Sequence, residues 1–278
     1  MRYFILILIT LNLFGSDFTQ MKEAFESGDT NRAISYARYN ATNSNVDAMY
    51  NLGLLYYAKG SINKAQTWFE NSVENGGKGK LGIALILFSK GKTQAQYDDI
   101  LKILDGIEQN DIGDALVNVL NDLKDKQDNA SANDYLLLAE LFSSDKIVRR
   151  NNNLAFMLVK KAAQKENPKA LEMIADAYNT MKKSPITAPR SQNTLIKAIS
   201  YYQQSYRLNN YDAMAKLGTL HIVGPRHVKR IKKGKELVKT AKANGSLVAK
   251  KIIENGYRYS SFNNSNSEKS YHILFREF

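Results

Sequence analysis

Serine–lysine pairs at a spacing that suits covalent chemistry occur in this chain. Ser61 and Lys64, and Ser89 and Lys92, stand three residues apart, which on a helix sets an amine one turn from a hydroxyl. An amine so placed can take the serine proton and arm the oxygen for acyl transfer. The partner elements of that chemistry, Ser-Asp-Asn and Lys-Thr-Gly, occur nowhere in the sequence. A serine just ahead of an apolar helix also has a structural use, since its side chain caps the free backbone amides. Ser61 is expected to do that, and no catalytic residue is assigned.

Other chemistries are poorly supplied. There are three histidines, His221, His227 and His272. Only the first two are near one another, and not at a ligand spacing, so no metal is expected. There is no cysteine, which removes thiolate sites, disulfides and a lipidated cysteine anchor. No phosphate-loop motif is present, and no cofactor is expected. Carboxylate neighbours such as Asp98–Asp99 fall on solvent-facing helical positions.

Charge is the stronger signal. Residues 17–150 carry 15 basic and 19 acidic side chains, a net of −4, whereas residues 151–258 carry 21 and 6, a net of +15. The densest run is Arg226, His227, Lys229, Arg230, Lys232, Lys233 and Lys235, followed by Lys239, Lys242, Lys250 and Lys251. Such a run is either a solvated outer face or an electrostatic patch for an acidic protein, an anionic cell-wall polymer or lipid headgroups. It lacks the interleaved aromatics that stack nucleic-acid bases, and nucleic acid is not an expected partner.

The elements that must carry these residues are helical. Four prolines in 278 residues and 44% hydrophobic content suit long helices with few breaks. DAMYNLGLLYY at Asp47–Tyr57 is echoed by DAMAKLGTL at Asp212–Leu220 and by KALEMIADAY at Lys169–Tyr178. Each copy places a small residue (Gly53, Gly218, Ala175) after an apolar one, with Tyr56, His221 or Tyr178 three places on. This is the face of a helix packed closely on a neighbour. Helices are expected at Phe18–Gly28, Arg32–Thr42, Asp47–Ala58, Asn63–Glu74, Lys80–Ser89, Gln94–Ile107 and Asn133–Phe142. Gly60 stops the third, and Ala65, Trp68, Phe69 and Ser72 form the inner face of the fourth.

One interval recurs five times. A position early in each second helix leads by 15 residues its counterpart in the next first helix: Ala33 to Ala48, Ala65 to Lys80, Ala155 to Ala170, Ala198 to Ala213 and Gly234 to Ala249. A fixed spacing of this kind predicts an array of helix–turn–helix units with constant geometry between repeats. The expected fold is all-α, a right-handed α-solenoid of about six helix pairs.

The unit formed by Leu52, Gly53, Tyr56, Ala65 and Phe69 resembles a tetratricopeptide repeat. The later units resemble Sel-one-like repeats, with Gly218 and Gly234 16 residues apart and His221 and Gly224 where that family keeps Tyr and Gly. LAFMLVKKAAQKENPKA at Leu154–Ala170 and GKELVKTAKANGSLVA at Gly234–Ala249 are similar to its second helix and junction. The likeness runs from Ala33 to Tyr257 and is weak over residues 93–150. Lys80, His221 and an insertion at Lys182–Asn193 with Pro185 and Pro189 depart from it. The resemblance implies a solenoid that binds other proteins. Some Sel-one-like proteins are linked to β-lactam binding, which gives the serine–lysine pairs an alternative reading as part of a cell-wall enzyme. Attachment to peptidoglycan through the lysine cluster is a third reading.

Met1–Ser16 holds Arg2, an apolar run from Tyr3 to Phe14, then Gly15 and Ser16. This is the layout of a secretory signal, too short to span a bilayer. Export to the periplasm is expected, retention as a short anchor being the other reading, and no second long apolar stretch follows. The expected divisions are a signal at 1–16, a repeat domain at 17–258, and a Ser/Asn-rich linker and tail at 259–278. That tail ends in SYHILFREF and is expected to cap the last helix pair.

In such arrays the first helices line a groove. Counting from the small packing residue, the groove positions are Tyr50, Leu54 and Tyr57, then Glu172, Asp176 and Asn179, then Ala215, Thr219 and Ile222. The expected function is non-catalytic, a scaffold for a protein or peptide partner, with the basic half tuning affinity for an acidic one.

Overall fold

The computed structural model describes residues 16–257 apart from 92, 108–109, 126–128, 144–147 and 181–191. The export signal before Ser16, the proline-bearing insertion, the tail from 259 and Lys92 lie outside them. Among the described residues the regular elements are all helices: α1 (Ser16–Glu26), α2 (Thr30–Thr42), α3 (Val46–Ala58), α4 (Ile62–Glu74), α5 (Gly79–Lys90), α6 (Gln94–Leu104), α7 (Asp111–Asp125), α8 (Ala132–Phe142), α9 (Asn152–Gln164), α10 (Pro168–Thr180), α11 (Gln192–Arg207), α12 (Tyr211–Val223), α13 (Ile231–Ala243) and α14 (Leu247–Glu254). This is the all-α solenoid class that the repeat spacing predicts. In chain order the helices make six pairs, α1/α2, α3/α4, α5/α6, α8/α9, α10/α11 and α12/α13. The helix α7 is interposed between α6 and α8, and α14 follows the last pair. The interposed α7 falls where the sequence period lapses.

The constant 15-residue step has a physical cause. Eleven residues after each small residue the chain turns into the left-handed region, at Ser44 (φ 63°), Gly76 (80°), Glu166 (55°), Asn209 (63°) and Gly245 (85°). The next amide in each case reaches back five residues: Asn45 to the Asn40 carbonyl, Gly77 to Ser72, Asn167 to Ala162, Asn210 to Ser205 and Ser246 to Ala241. That is the hydrogen-bonding pattern of a helix closed by one left-handed residue. The residue after it opens the next helix at four of the five joins. Asn45, Asn167, Asn210 and Ser246 each accept from the amide three residues on, at Ala48, Ala170, Ala213 and Ala249, across 2.9–3.2 Å. The fifth join has glycine at 77, without a capping side chain, and α5 starts two residues later at Gly79. That is the join whose counterpart residue, Lys80, is not small.

The chain divides into two compact units, residues 1–130 with 137–155 and residues 131–136 with 156–278. In the first, the fully buried Phe69 ring of α4 sits against the bare backbone of Gly53 on α3 and Gly82 on α5. A Cβ at Gly53 would come 2.5 Å from that ring, which is why the position is small. Tyr56 is buried as a packing residue, and its hydroxyl accepts from the Arg38 guanidinium. Ser61 stands at the N-cap position of α4 but makes no side-chain capping bond, which corrects the expected cap; its backbone is used instead, the amide donating to the Tyr56 carbonyl and the carbonyl accepting from the Ala65 amide. In the second unit, Leu195, Ala198 and Tyr202 of α11 pack with Ala213, Leu217 and Leu220 of α12. Ala215, Val238, Ala241, Ala249 and Ile252 join α12, α13 and α14.

Candidate functional site

The groove positions of the first unit divide by burial. Tyr57 is 0% exposed, and its hydroxyl lies 3.4 Å from the Leu85 carbonyl of α5. It therefore belongs to the packing between successive first helices, which corrects the expectation that it faces a groove. Tyr50 is half-buried, its ring 5.7 Å from that of Phe69, and burial pushes its phenol pKa up. Leu54 is half-exposed. Of the three positions on α3, Tyr50 and Leu54 are the ones left partly accessible.

In the second unit the groove residues meet side chains that sequence reading did not foresee. Glu172 of α10 is only 2% exposed. The Lys216 ammonium of α12, 12% exposed, lies 2.6 Å from a Glu172 oxygen and 2.6 Å from an Asp176 oxygen. The second Glu172 oxygen accepts from Asn210 Nδ2 at 2.8 Å and from Lys169 at 3.3 Å. The second Asp176 oxygen accepts from the Tyr202 hydroxyl of α11 at 2.5 Å, and Asn179 Nδ2 stands 3.5 Å from that hydroxyl. One lysine thus holds two carboxylates one helical turn apart, and the cluster fastens α10, α11 and α12 together.

Its electrostatics decide what it can do. Desolvation works against the Glu172 charge, but Lys216, Lys169 and the hydrogen bonds from Lys216 and Asn210 outweigh it and hold the pKa at about 2. Desolvation likewise works against the Lys216 charge and is outweighed by Asp176 and Glu172, which hold its pKa well above the ordinary lysine value. Near neutral pH this lysine has no free lone pair to act as nucleophile or base. The cluster is a clamp. Glu172 is consequently a clamp residue and not a free groove contact, while Asp176 and Asn179 remain half-exposed. Ala215 and Thr219 are buried, with the Thr219 hydroxyl turned back to the Ala215 carbonyl at 3.0 Å, and Ile222 packs on the α13–α14 core. These three correct the expectation for α12.

Lys216 had a signal in the sequence. It aligns with Asn51 in the two DAM copies, and Asn51 is also a buried polar residue. A charge just ahead of the Leu-Gly packing pair lies on the inner arc of its helix and has to be matched there.

Of the serine–lysine pairs, Ser61 and Lys64 do not assemble, and Lys92 of the Ser89 pair lies outside the described residues. Lys64 is exposed over the Tyr56 ring, 5.6 Å from its centroid, and the Ser89 hydroxyl donates to the Ile86 carbonyl at 2.7 Å. The string Gly77-x-Gly79-x-x-Gly82 has the outline of a nucleotide-binding turn. No strand precedes it, and its glycines lie against Val46, Ser72, Val73 and Phe69, so packing accounts for it. Among the described residues no group of three or more histidine, aspartate or glutamate side chains could hold a metal. His221 is buried, with Nδ1 2.8 Å from the Val228 carbonyl and Nε2 without a hydrogen-bond partner, whereas His227 is exposed.

Every member of the basic run from Arg226 to Lys251 is exposed. Arg226, His227, Lys229 and Arg230 occupy the α12–α13 loop, and Lys232, Lys233, Lys235, Lys239 and Lys242 occupy α13, the second helix of its pair. Lys232, Lys235, Lys239 and Lys242, spaced three and four residues apart, share one face of α13. None of the run is ion-paired to a described residue. Among the described residues no helix is long and apolar enough to cross a membrane.

The Sel1 repeat family model matches residues 46–77, 130–167 and 190–210. Those three stretches, about a third of the chain, are similar to Sel1 repeats. Among solved structures, a protective antigen of uropathogenic Escherichia coli strains displaying an SLR fold is 17% identical, with a TM-score of 0.40. The match covers 88% of this chain and 56% of that one, so this chain spans little more than half its length. A Sel1 repeat protein from Oxalobacter formigenes is 16% identical, with a TM-score of 0.39, and 89% of this chain and 93% of that one are covered. No curated protein matches.

Proposed function

We propose that this Sel1-repeat chain is an exported, non-catalytic scaffold of the bacterial periplasm or cell envelope that holds a protein or peptide partner against its first helices. The observation that carries this reading is the clamp of Glu172, Lys216, Asp176 and Tyr202. It fixes Asp176 and Asn179 on an ordered surface, so that a partner meets side chains whose freedom has already been spent. Tyr50 and Leu54, held on the rigid α3–α4–α5 packing, supply an aromatic and an apolar contact of the kind that anchors peptides. The net charge of +15 over residues 151–258 draws acidic partners by its long-range field. It raises the encounter rate more than the affinity of the contact itself.

The test is a crosslinking pull-down from the native envelope with the full chain. The wild type is compared with Tyr50→Ala/Leu54→Ala and with Asn179→Ala, each checked for unchanged helical content. A discrete partner captured by the wild type and lost in either variant supports the assignment. Equal capture by all three would sink it. Fractionation, with sequencing of the mature N-terminus, tests export, and full-length chain in the cytosol would overturn that part.

A further inference from the structure

The loop between α12 and α13 has a feature that a merely solvated basic surface does not need. At its two ends stand large apolar side chains in water, Val223 at 50% exposed and Ile231 at 47%. Between them Arg226, His227, Lys229 and Arg230 point outward and only Val228 turns in. The backbone holds this arrangement. The Val228 carbonyl faces His221 Nδ1 at 2.8 Å, the Arg230 amide donates to the His221 carbonyl at 2.8 Å, and the Val228 and Lys229 amides both donate to the Pro225 carbonyl at 3.0 Å. The cations are thus displayed on a fixed turn with an aliphatic group on either side.

Which partner suits it follows from the residue types. Arg226 to Lys242 contains eight lysines and arginines and one acidic residue, Glu236. Six of the eight are lysines, compact and strongly hydrated point charges that offer no planar fork to a carboxylate. Protein interfaces concentrate their energy in Trp, Tyr and Arg set in desolvated pockets and are depleted in lysine. No aromatic residue occurs between Arg226 and Lys242. A cluster of four to eight cations beside apolar side chains fits a diffuse anionic plane into which small aliphatic groups can dip.

We propose that the α12–α13 loop, with the lysine face of α13, docks on an anionic lipid bilayer, Val223 and Ile231 entering the headgroup region and the cations facing the lipid phosphates. This goes beyond the scaffold reading. It uses the loop and a second helix, whereas the protein partner is assigned to first helices, so either assignment can fail without the other.

The experiment is co-sedimentation of the full chain with vesicles of phosphatidylcholine alone or mixed with phosphatidylglycerol, at low and high salt. Because the chain has no cysteine, Ile231→Cys can carry a single environment-sensitive fluorophore. The expected result is salt-sensitive binding to the anionic vesicles only, with a blue shift at position 231. Lys232→Glu/Lys233→Glu/Lys235→Glu should weaken the binding by at least about tenfold. Val223→Ser/Ile231→Ser should weaken it at equal charge. All substituted positions are exposed, and unchanged helical content keeps the comparison fair. Absence of anionic-vesicle binding overturns the proposal. So does binding that is indifferent to Val223→Ser/Ile231→Ser and gives no blue shift, because that describes an electrostatic surface for an acidic protein or polymer.

Discussion

Gly218 and Gly234 touch through their backbones. A Cβ built on Gly218 would lie 2.7 Å from the Gly234 carbonyl oxygen, and one built on Gly234 would lie 2.5 Å from the Gly218 carbonyl oxygen. The two helices of the last pair, α12 and α13, therefore cross with no side chain between them, and neither obstructing atom is the movable end of a side chain. Gly218→Ala or Gly234→Ala is expected to destabilise the second unit by about 1–3 kcal/mol, the usual range for overpacking. Gly→Ala within a helix otherwise stabilises by up to about 1 kcal/mol. Denaturant unfolding followed by circular dichroism checks it, and a neutral or stabilising result would mean the crossing is looser than described.

Lys216→Met leaves Glu172 and Asp176 buried or half-buried with their main counter-charge gone. The expected loss is about 3 kcal/mol, the lower end for breaking a buried ion pair because Asp176 retains some solvent. Adding Glu172→Gln and Asp176→Asn should recover much of that loss. Failure of the triple variant to recover would show that the loss does not come from the unpaired carboxylates.

Acid sensitivity follows from the same cluster. The Glu172 pKa, held at about 2 in the fold, lies below the value of about 4.3 for an unfolded glutamate. The folded protein therefore binds fewer protons than the unfolded chain between these values. The stabilisation is complete above about pH 4.5 and is lost as pH falls toward 2. Its ceiling is about 3 kcal/mol, from roughly two pKa units at about 1.4 kcal/mol each. Unfolding free energies measured from pH 6 to pH 2.5 should fall more steeply in the wild type than in Glu172→Gln. Parallel curves would contradict the assignment.

Glu166 occupies a left-handed position (φ 55°) where a Cβ is disfavoured. Two of the four other joins of this type use glycine there, Gly76 and Gly245. Glu166→Gly is expected to stabilise the second unit by about 1 kcal/mol. The gain should appear in unfolding free energy and should leave vesicle binding unchanged.

The fold was legible because its signal is local. The 15-residue step is written by one left-handed residue, one capping side chain and two small residues, all within a short span. The interposed α7 escaped notice because it obeys none of that spacing. The candidate site was less legible, since Lys216 meets Glu172 across 44 residues of sequence and a lone lysine in a basic half reads as solvated. Tyr57 and Thr219 were misplaced for a related reason. Counting from the packing glycine identifies a helix face but does not say how far the next first helix overlaps it. Ser61 had the residue type of a cap without its hydrogen bond, a matter of side-chain geometry that residue type does not settle.

The recurrence of one join has a consequence for how such a chain can change length. Cutting before Ser44 and before Asn209, or before Glu166 and before Gly245, and exchanging the pieces would leave each new boundary with a closed helix behind it and a start signal ahead. Gene duplication, deletion or shuffling in whole repeats would thus preserve local chemistry at every seam. A break elsewhere would strand open backbone groups. The array behaves as text with punctuation, and its turnover in evolution should follow the punctuation.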